Sequence, residues 1–255
     1  MMQRSETVPA GGATSARVEI GMAVGELRIS GGATELMDAD FTYDDELEPE
    51  VEYRVDGGQG VLTVKQGSKK NVRSTQNEWN IRLNDRIPID LQVNVAAAAA
   101  ELVLDTLPIL SLDIHSASGA VLANVGGNQP WVDRIKIESA SGGIQIRLNG
   151  TYRSLSRLES RSASGKLDID LSGSWKKDLE AHINAVSGAV TVTVPTRVGV
   201  AAQTSTISGR LNSPTGRTSG IAGKAYVNDL FESSRVKLKL RIATVSGSIT
   251  IGEGS

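Results

Sequence analysis

Apolar and polar positions alternate with a period of two through most of this chain, and the alternation restarts after each of a series of Ser-Gly pairs. Counting from Ser118, Ser141, Ser164, Ser187, Ser208 and Ser246, the third residue on is Val121, Ile144, Leu167, Val190, Leu211 or Ile249. The fifth is Ala123, Ile146, Ile169, Val192, Ser213 or Ile251, and four of the repeats continue to Val125, Leu148, Leu171 and Val194. Between them stand residues such as Gln145, Arg147, Asp168, Asp170, Thr191 and Thr193. A period of two predicts half-buried strands.

The interval between the pairs matters more than any single strand. Ser118-Gly119, Ser141-Gly142, Ser164-Gly165 and Ser187-Gly188 recur every 23 residues; Ser208-Gly209 follows after 21 and Ser246-Gly247 after 38. Equal strands at an equal interval stack as the rungs of a repeat protein, each covering the apolar face its neighbour cannot cover alone. The expected fold is all-β: a single right-handed parallel β-solenoid, or β-helix, with rungs of about 23 residues. The hand follows from the preference of parallel crossovers. The long last gap predicts one rung plus about 15 inserted residues near 213–227, where turn formers cluster. At each corner the glycine is expected to supply a conformation closed to other residues, and the serines to form a hydrogen-bonded ladder.

Residues 1–95 carry the same frame less regularly. Ile20, Gly25, Leu27 and Ile29 match Ile242, Gly247, Ile249 and Ile251, and strands are expected at 49–55, 60–66, 79–83 and 87–95. This region reads as an amino-terminal cap continuous with the Ser-Gly solenoid of 96–255, since terminal repeats must shield the core.

These segments resemble a known family. "GMAVGELRISGGATEL" (21–36) with "VEYRVDGGQGVLTVKQ" (51–66) resembles the toast-rack amino-terminal domain of bacterial proteins. The run from Trp79 to Val125, followed by Ser-Gly rungs, is similar to the associated "putative adhesin" family, itself akin to Gram-positive cell-envelope stress proteins. The chain departs from that pattern at Ala96–Ala100, where relatives often have glycines, and in showing no export segment upstream. The resemblance implies an envelope-associated or extracellular place and brings no catalytic residues with it; a chain complete as written would be expected in the cytoplasm.

Composition narrows the chemistry. A formal charge of -2 gives no global reason to expect nucleic acid or anionic lipid as partner, so either would need a local patch, and no stretch has the length and hydropathy of a membrane span. With no cysteine, disulfides and thiolate sites are excluded. His115 and His182 fall at different points of their rungs, without the spacing of a metal pair. Asp38, Asp40, Asp44 and Asp45 are weak metal candidates in an acidic run whose glutamates alternate with apolar residues like a solvated strand face. Arg235, Lys237, Lys239 and Arg241 alternate with apolar residues and form a candidate anion-binding face; Lys65, Lys69, Lys70 and Arg73 form a second basic group. "GIAGKA" (220–225) lacks the serine or threonine and the spacing of a phosphate loop. Asp168 and Asp170 are expected to face outward, Arg147 pairing with Asp170 across rungs.

No catalytic residue, cofactor or metal site is therefore assigned. The expected role is a non-catalytic envelope-associated binding or scaffold module engaging a surface polymer or another protein. A polysaccharide-active β-helix enzyme and an intracellular sensor or assembly partner are the alternatives, and oligomeric state is open.

Overall fold

The computed structural model describes residues 1–67, 76–214 and 224–254. Its strands are short, as alternating segments broken by turn residues require. In the amino-terminal part they are β1 (Met2–Val8), β2 (Ser15–Met22), β3 (Glu26–Ala33), β4 (Met37–Tyr43), β5 (Pro49–Asp56), β6 (Gln59–Gln66), β7 (Asn77–Asn84), β8 (Ile89–Val95) and β9 (Ala99–Val103). The regular rungs follow with β10 (Ile109–Ser116), β11 (Val121–Asn124), β12 (Asn128–Gln129), β13 (Arg134–Ser139), β14 (Ile144–Arg147), β15 (Thr151–Tyr152), β16 (Arg157–Ser162), β17 (Leu167–Asp170), β18 (Ser174–Trp175), β19 (Leu179–Ala185) and β20 (Val190–Pro195). The chain ends with β21 (Gly199–Thr206), β22 (Leu211–Asn212), β23 (Lys224–Val227), β24 (Lys237–Thr244) and β25 (Ile249–Gly254).

Two long sheets stack these strands as a β-solenoid. The first runs β1-β4-β7-β3-β9-β11-β14-β17-β20-β25-β22 and the second β23-β21-β24-β19-β16-β13-β10-β8-β2-β6-β5. Both sheets pass residue 95 without a break. A short third sheet, β12-β15-β18, closes the middle rungs. Pairing keeps the repeat in register: Val121, Ile144, Leu167, Val190 and Ile249 are successive lateral partners, as are Ala123, Ile146, Ile169, Val192 and Ile251. These ten side chains are all buried, whereas Leu211 and Ser213, in the outermost rung, are only partly so.

Rungs are not stacked in sequence order at either end. The last rung in the sequence, β24-β25, lies between β19-β20 and β21-β22. The corner containing Ser246 therefore sits between those of Ser187 and Ser208, not beyond both. The amino terminus mirrors this, with β2-β3 against β8-β9 and the later β6-β7 outside them. Most of the insertion expected at 213–227 lies outside the described residues, as do four of the six residues 220–225; its end, β23, pairs antiparallel with β21. Antiparallel strands also finish the other end, β5 on β6 and β1 on β4 on β7. On edge strand β1, Arg4 and Glu6 are in contact with each other and pair across to the core residues Phe41 and Ala39. Inward charge of that kind discourages further strand addition.

The corner glycines have a different cause from the expected one. Gly119, Gly142, Gly165, Gly188, Gly209 and Gly247 are not in the left-handed region. What they require is room: a Cβ on Gly142 would stand 1.9 Å from the carbonyl oxygen of Gly119, and one on Gly165 would stand 1.9 Å from that of Gly142. The rungs touch through their backbones here.

Each SASG contributes two hydroxyls with separate duties. The first serine is buried and closes its own corner: Ser116, Ser139 and Ser162 donate to the carbonyls of Gly119, Gly142 and Gly165 at 2.6–2.9 Å. Thr244 does the same for Gly247. The second is exposed and reaches the preceding rung, Ser118, Ser141, Ser164 and Ser187 donating to the carbonyls of Ala96, Ala117, Ala140 and Ala163 at 3.1–3.3 Å. In the third sheet, Gln129, Tyr152 and Trp175 are successive buried partners, with the Tyr152 and Trp175 rings stacked 4.8 Å apart. Burial pushes the Tyr152 hydroxyl well above its ordinary pKa, and it donates to the Val125 carbonyl.

Candidate functional site: the outer face of the second sheet

Because strands of the second sheet pair in parallel and in register, every outward residue joins a row along the solenoid. One row runs Asn94, His115, Glu138, Arg161, Asn184; the next runs Gln92, Asp113, Lys136, Glu159, His182, Arg241. The two histidines are thus in different rows. His115 Nε2 is 3.0 Å from Asp113 Oδ1 and its Nδ1 3.2 Å from Glu138 Oε2. Lys136 Nζ is 3.0 Å from the same Glu138 oxygen, and Arg161 reaches Glu138 Oε1 at 3.5 Å. The Lys136 hydrogen bond holds the Glu138 carboxyl below its ordinary pKa, partial burial opposes it, and the fields of Lys136, His115 and Arg161 reinforce it.

This cluster is electrostatic. Ser116, adjacent to His115, is turned into the interior and spends its hydroxyl on the Gly119 carbonyl, so His115 does not serve it as a base. Exposed pairs of this kind contribute little individually, about 0–1 kcal/mol.

Beside the cluster, a groove with a volume of about 1130 Å³ follows the corner along the axis. One wall is the row His115, Glu138 and Arg161; the other is the exposed column Ala96, Ala117, Ala140, Ala163, Val186 and Val245. Small methyl groups keep the corner flat, and the rungs repeat about every 4.8 Å.

The basic strand lies on the same face. Lys239 and Arg241 project from β24 beside Glu180 and His182, and among the described residues no ion pair engages Arg235, Lys239 or Arg241. Lys237 places its ammonium 4.9 Å from the centre of the Phe231 ring. In the second basic group, Lys65 pairs with Glu19 at 3.1 Å, while Lys69, Lys70 and Arg73 lie outside the described residues.

The acidic candidates are drawn to separate partners. Asp38 accepts from Thr7, Asp40 accepts from Ser5 and pairs with Arg82, and Asp44 stands 4.0 Å from the terminal amine. Asp45 lies in a short 3-10 turn, Asp45–Leu47. Among the described residues no group of three or more such side chains is placed to share a metal ion. Arg147 and Asp170 are lateral partners, but no ion pair joins them among the described residues. Asp170 instead accepts from the Ser172 N–H, and Asp168 pairs with Lys166 at 3.5 Å.

Sequence spacing did not expose the groove's polar wall, because its members differ in type from rung to rung. The Gln129, Tyr152 and Trp175 stack did have a signal in its 23-residue spacing.

A repeat-built solenoid with an amino-terminal cap defines the class. Residues 1–147 match the family described as "N-terminal domain of toast_rack", and the chain belongs to that family. Residues 142–251 match "Cell wall-active antibiotics response LiaF, C-terminal". A Clostridium sporogenes structure described as a "putative cell adhesion protein" is 22% identical and has a TM-score of 0.54, with 99% of each chain covered. A "putative adhesin" from Bacteroides fragilis is 11% identical with a TM-score of 0.48, covering 98% of this chain and 96% of its own. No curated protein matches significantly. Among the described residues no helix is long and apolar enough to cross a membrane.

Proposed function

We propose that the protein is a non-catalytic binding module of the bacterial cell envelope whose second-sheet face holds an extended anionic surface polymer along the corner groove. The observation that carries this reading is that Lys239 and Arg241, on the same sheet face as the groove, enter no ion pair among the described residues. Lys136, Arg157 and Arg161 are in ion pairs with Glu138 and Glu159, whereas among the described residues Lys239, though beside Glu180, and Arg241 enter none. A groove that follows the axis, with one wall of methyl groups repeating rung by rung, suits a linear polymer, because preorganised contacts recur along it without further ordering cost. The family match and the adhesin descriptions of proteins with this fold are consistent with it.

Binding to a polyglycerol-phosphate wall polymer, measured by calorimetry against a neutral glucan, tests the proposal. Salt-sensitive binding of the phosphate polymer, weakened by Lys239→Glu with Arg241→Glu, is expected. Equal binding to the neutral glucan, or a double variant that binds as before, contradicts it.

A further inference from the structure

The corner column changes character over the last three rungs in space. Through the middle of the solenoid it presents Ala96, Ala117, Ala140 and Ala163; beyond these it presents Val186, Val245 and Ile207, which are 54%, 45% and 83% exposed. The three are direct neighbours, the Val245 N–H donating to the Val186 carbonyl and the Ile207 N–H to that of Val245. Val186 and Ile207 are one rung interval apart in the sequence, and the inserted position of β24-β25 places the remote Val245 between them.

Charge changes over the same rungs. The segments 182–189, 241–248 and 203–210 contain no aspartate or glutamate, whereas the corresponding segments two rungs and one rung earlier, 136–143 and 159–166, contain Glu138 and Glu159. The charged residues on the three outer segments are cations: Arg241, four residues before Val245, and Arg210, three residues after Ile207, both exposed. Neither enters an ion pair among the described residues. Ser187, Ser246 and Ser208 complete the rim.

We infer that this corner docks on an anionic lipid surface, Val186, Val245 and Ile207 entering the headgroup boundary while Arg241 and Arg210 meet lipid phosphates on either side. Aliphatic side chains rimmed by cations and free of carboxylates match the two attractions that hold proteins at such interfaces. Three aliphatic residues fall well short of the about 1,000 Å² that a specific protein interface buries, whereas partition into lipid needs no complementary partner. The inference shares Val186, Val245 and Arg241 with the face assigned to the polymer, whereas Ile207 and Arg210 lie outside it.

The test is co-sedimentation of the full chain with vesicles of phosphatidylglycerol and phosphatidylcholine in equal parts, against phosphatidylcholine alone. Binding to the anionic vesicles is expected, falling about tenfold or more when Val186, Val245 and Ile207 are all changed to serine. All three are exposed, so an unchanged melting transition in the variant establishes folding; because Val186 and Val245 also wall the groove, Ile207→Ser alone, outside the groove, should weaken vesicle binding severalfold while leaving binding to the phosphate polymer unchanged. Absent vesicle binding, or a triple variant that sediments as before, overturns the inference. So does a wild-type self-association, seen by analytical ultracentrifugation, that the serine variant abolishes: the corner would then meet a second copy of the chain.

Discussion

Gly142 lies against Gly119 so closely that a Cβ on the former would stand 1.9 Å from the carbonyl oxygen of the latter. One residue further, a Cβ on Gly143 would meet nothing nearer than the Lys166 carbonyl oxygen at 4.0 Å. Two adjacent glycines therefore have opposite tolerance. Gly142→Val must push successive rungs apart and should cost more than about 3 kcal/mol, whereas Gly143→Ala should lie within about 1 kcal/mol of wild type. Urea denaturation of both variants checks the pair, and a Gly142→Val protein with wild-type stability would disprove the close-contact explanation.

The two serines of one repeat should also separate. Ser139 is buried and donates 2.7 Å to the Gly142 carbonyl, while Ser141 is exposed and donates 3.2 Å to that of Ala117. Ser139→Ala should cost about 1 kcal/mol and Ser141→Ala less than about 0.5 kcal/mol. The presence of Ala185 at the Ser139 position of another rung bounds the first figure, because the corner forms there without the hydroxyl. Denaturant midpoints ordered the other way would assign the wrong serine to the corner.

Glu138 predicts the acid response of the second-sheet face. Its folded pKa is depressed, chiefly by Lys136, so its contribution is present above the ordinary carboxylate range and lost as the pH falls through the lowered value. Glu138→Gln should accordingly destabilise the protein near neutral pH and leave it about as stable as wild type near pH 3. Chemical denaturation at both pH values reads this directly, and an equal deficit at both would place the effect in packing and not charge.

How much of this was legible in the sequence depends on what each feature encodes. The rungs were legible because burial imposes period two and stacking imposes period 23, so Ile146 and Ile169 announce both at once. Strand order at the ends was not: the frame of Thr244, Val245, Ser246 and Gly247 says that a rung exists, and nothing local says which neighbours it joins. Long-range pairing decides that. The glycine positions were legible, but their cause was not, since a carbonyl 1.9 Å from an imagined Cβ belongs to another rung. The basic strand at 235–241 was readable from its alternation, whereas the cluster at Glu138 draws His115, Lys136 and Arg161 from three strands.

The claim that most needs testing is the place where the protein works. Protease shaving of intact native cells, with mass spectrometry of the released peptides and a cytosolic protein as lysis control, addresses it most directly. A surface-exposed envelope module predicts peptides from this chain in the released fraction while the lysis control stays intact. Recovery of the chain undigested in the soluble fraction of the same cells would contradict that account.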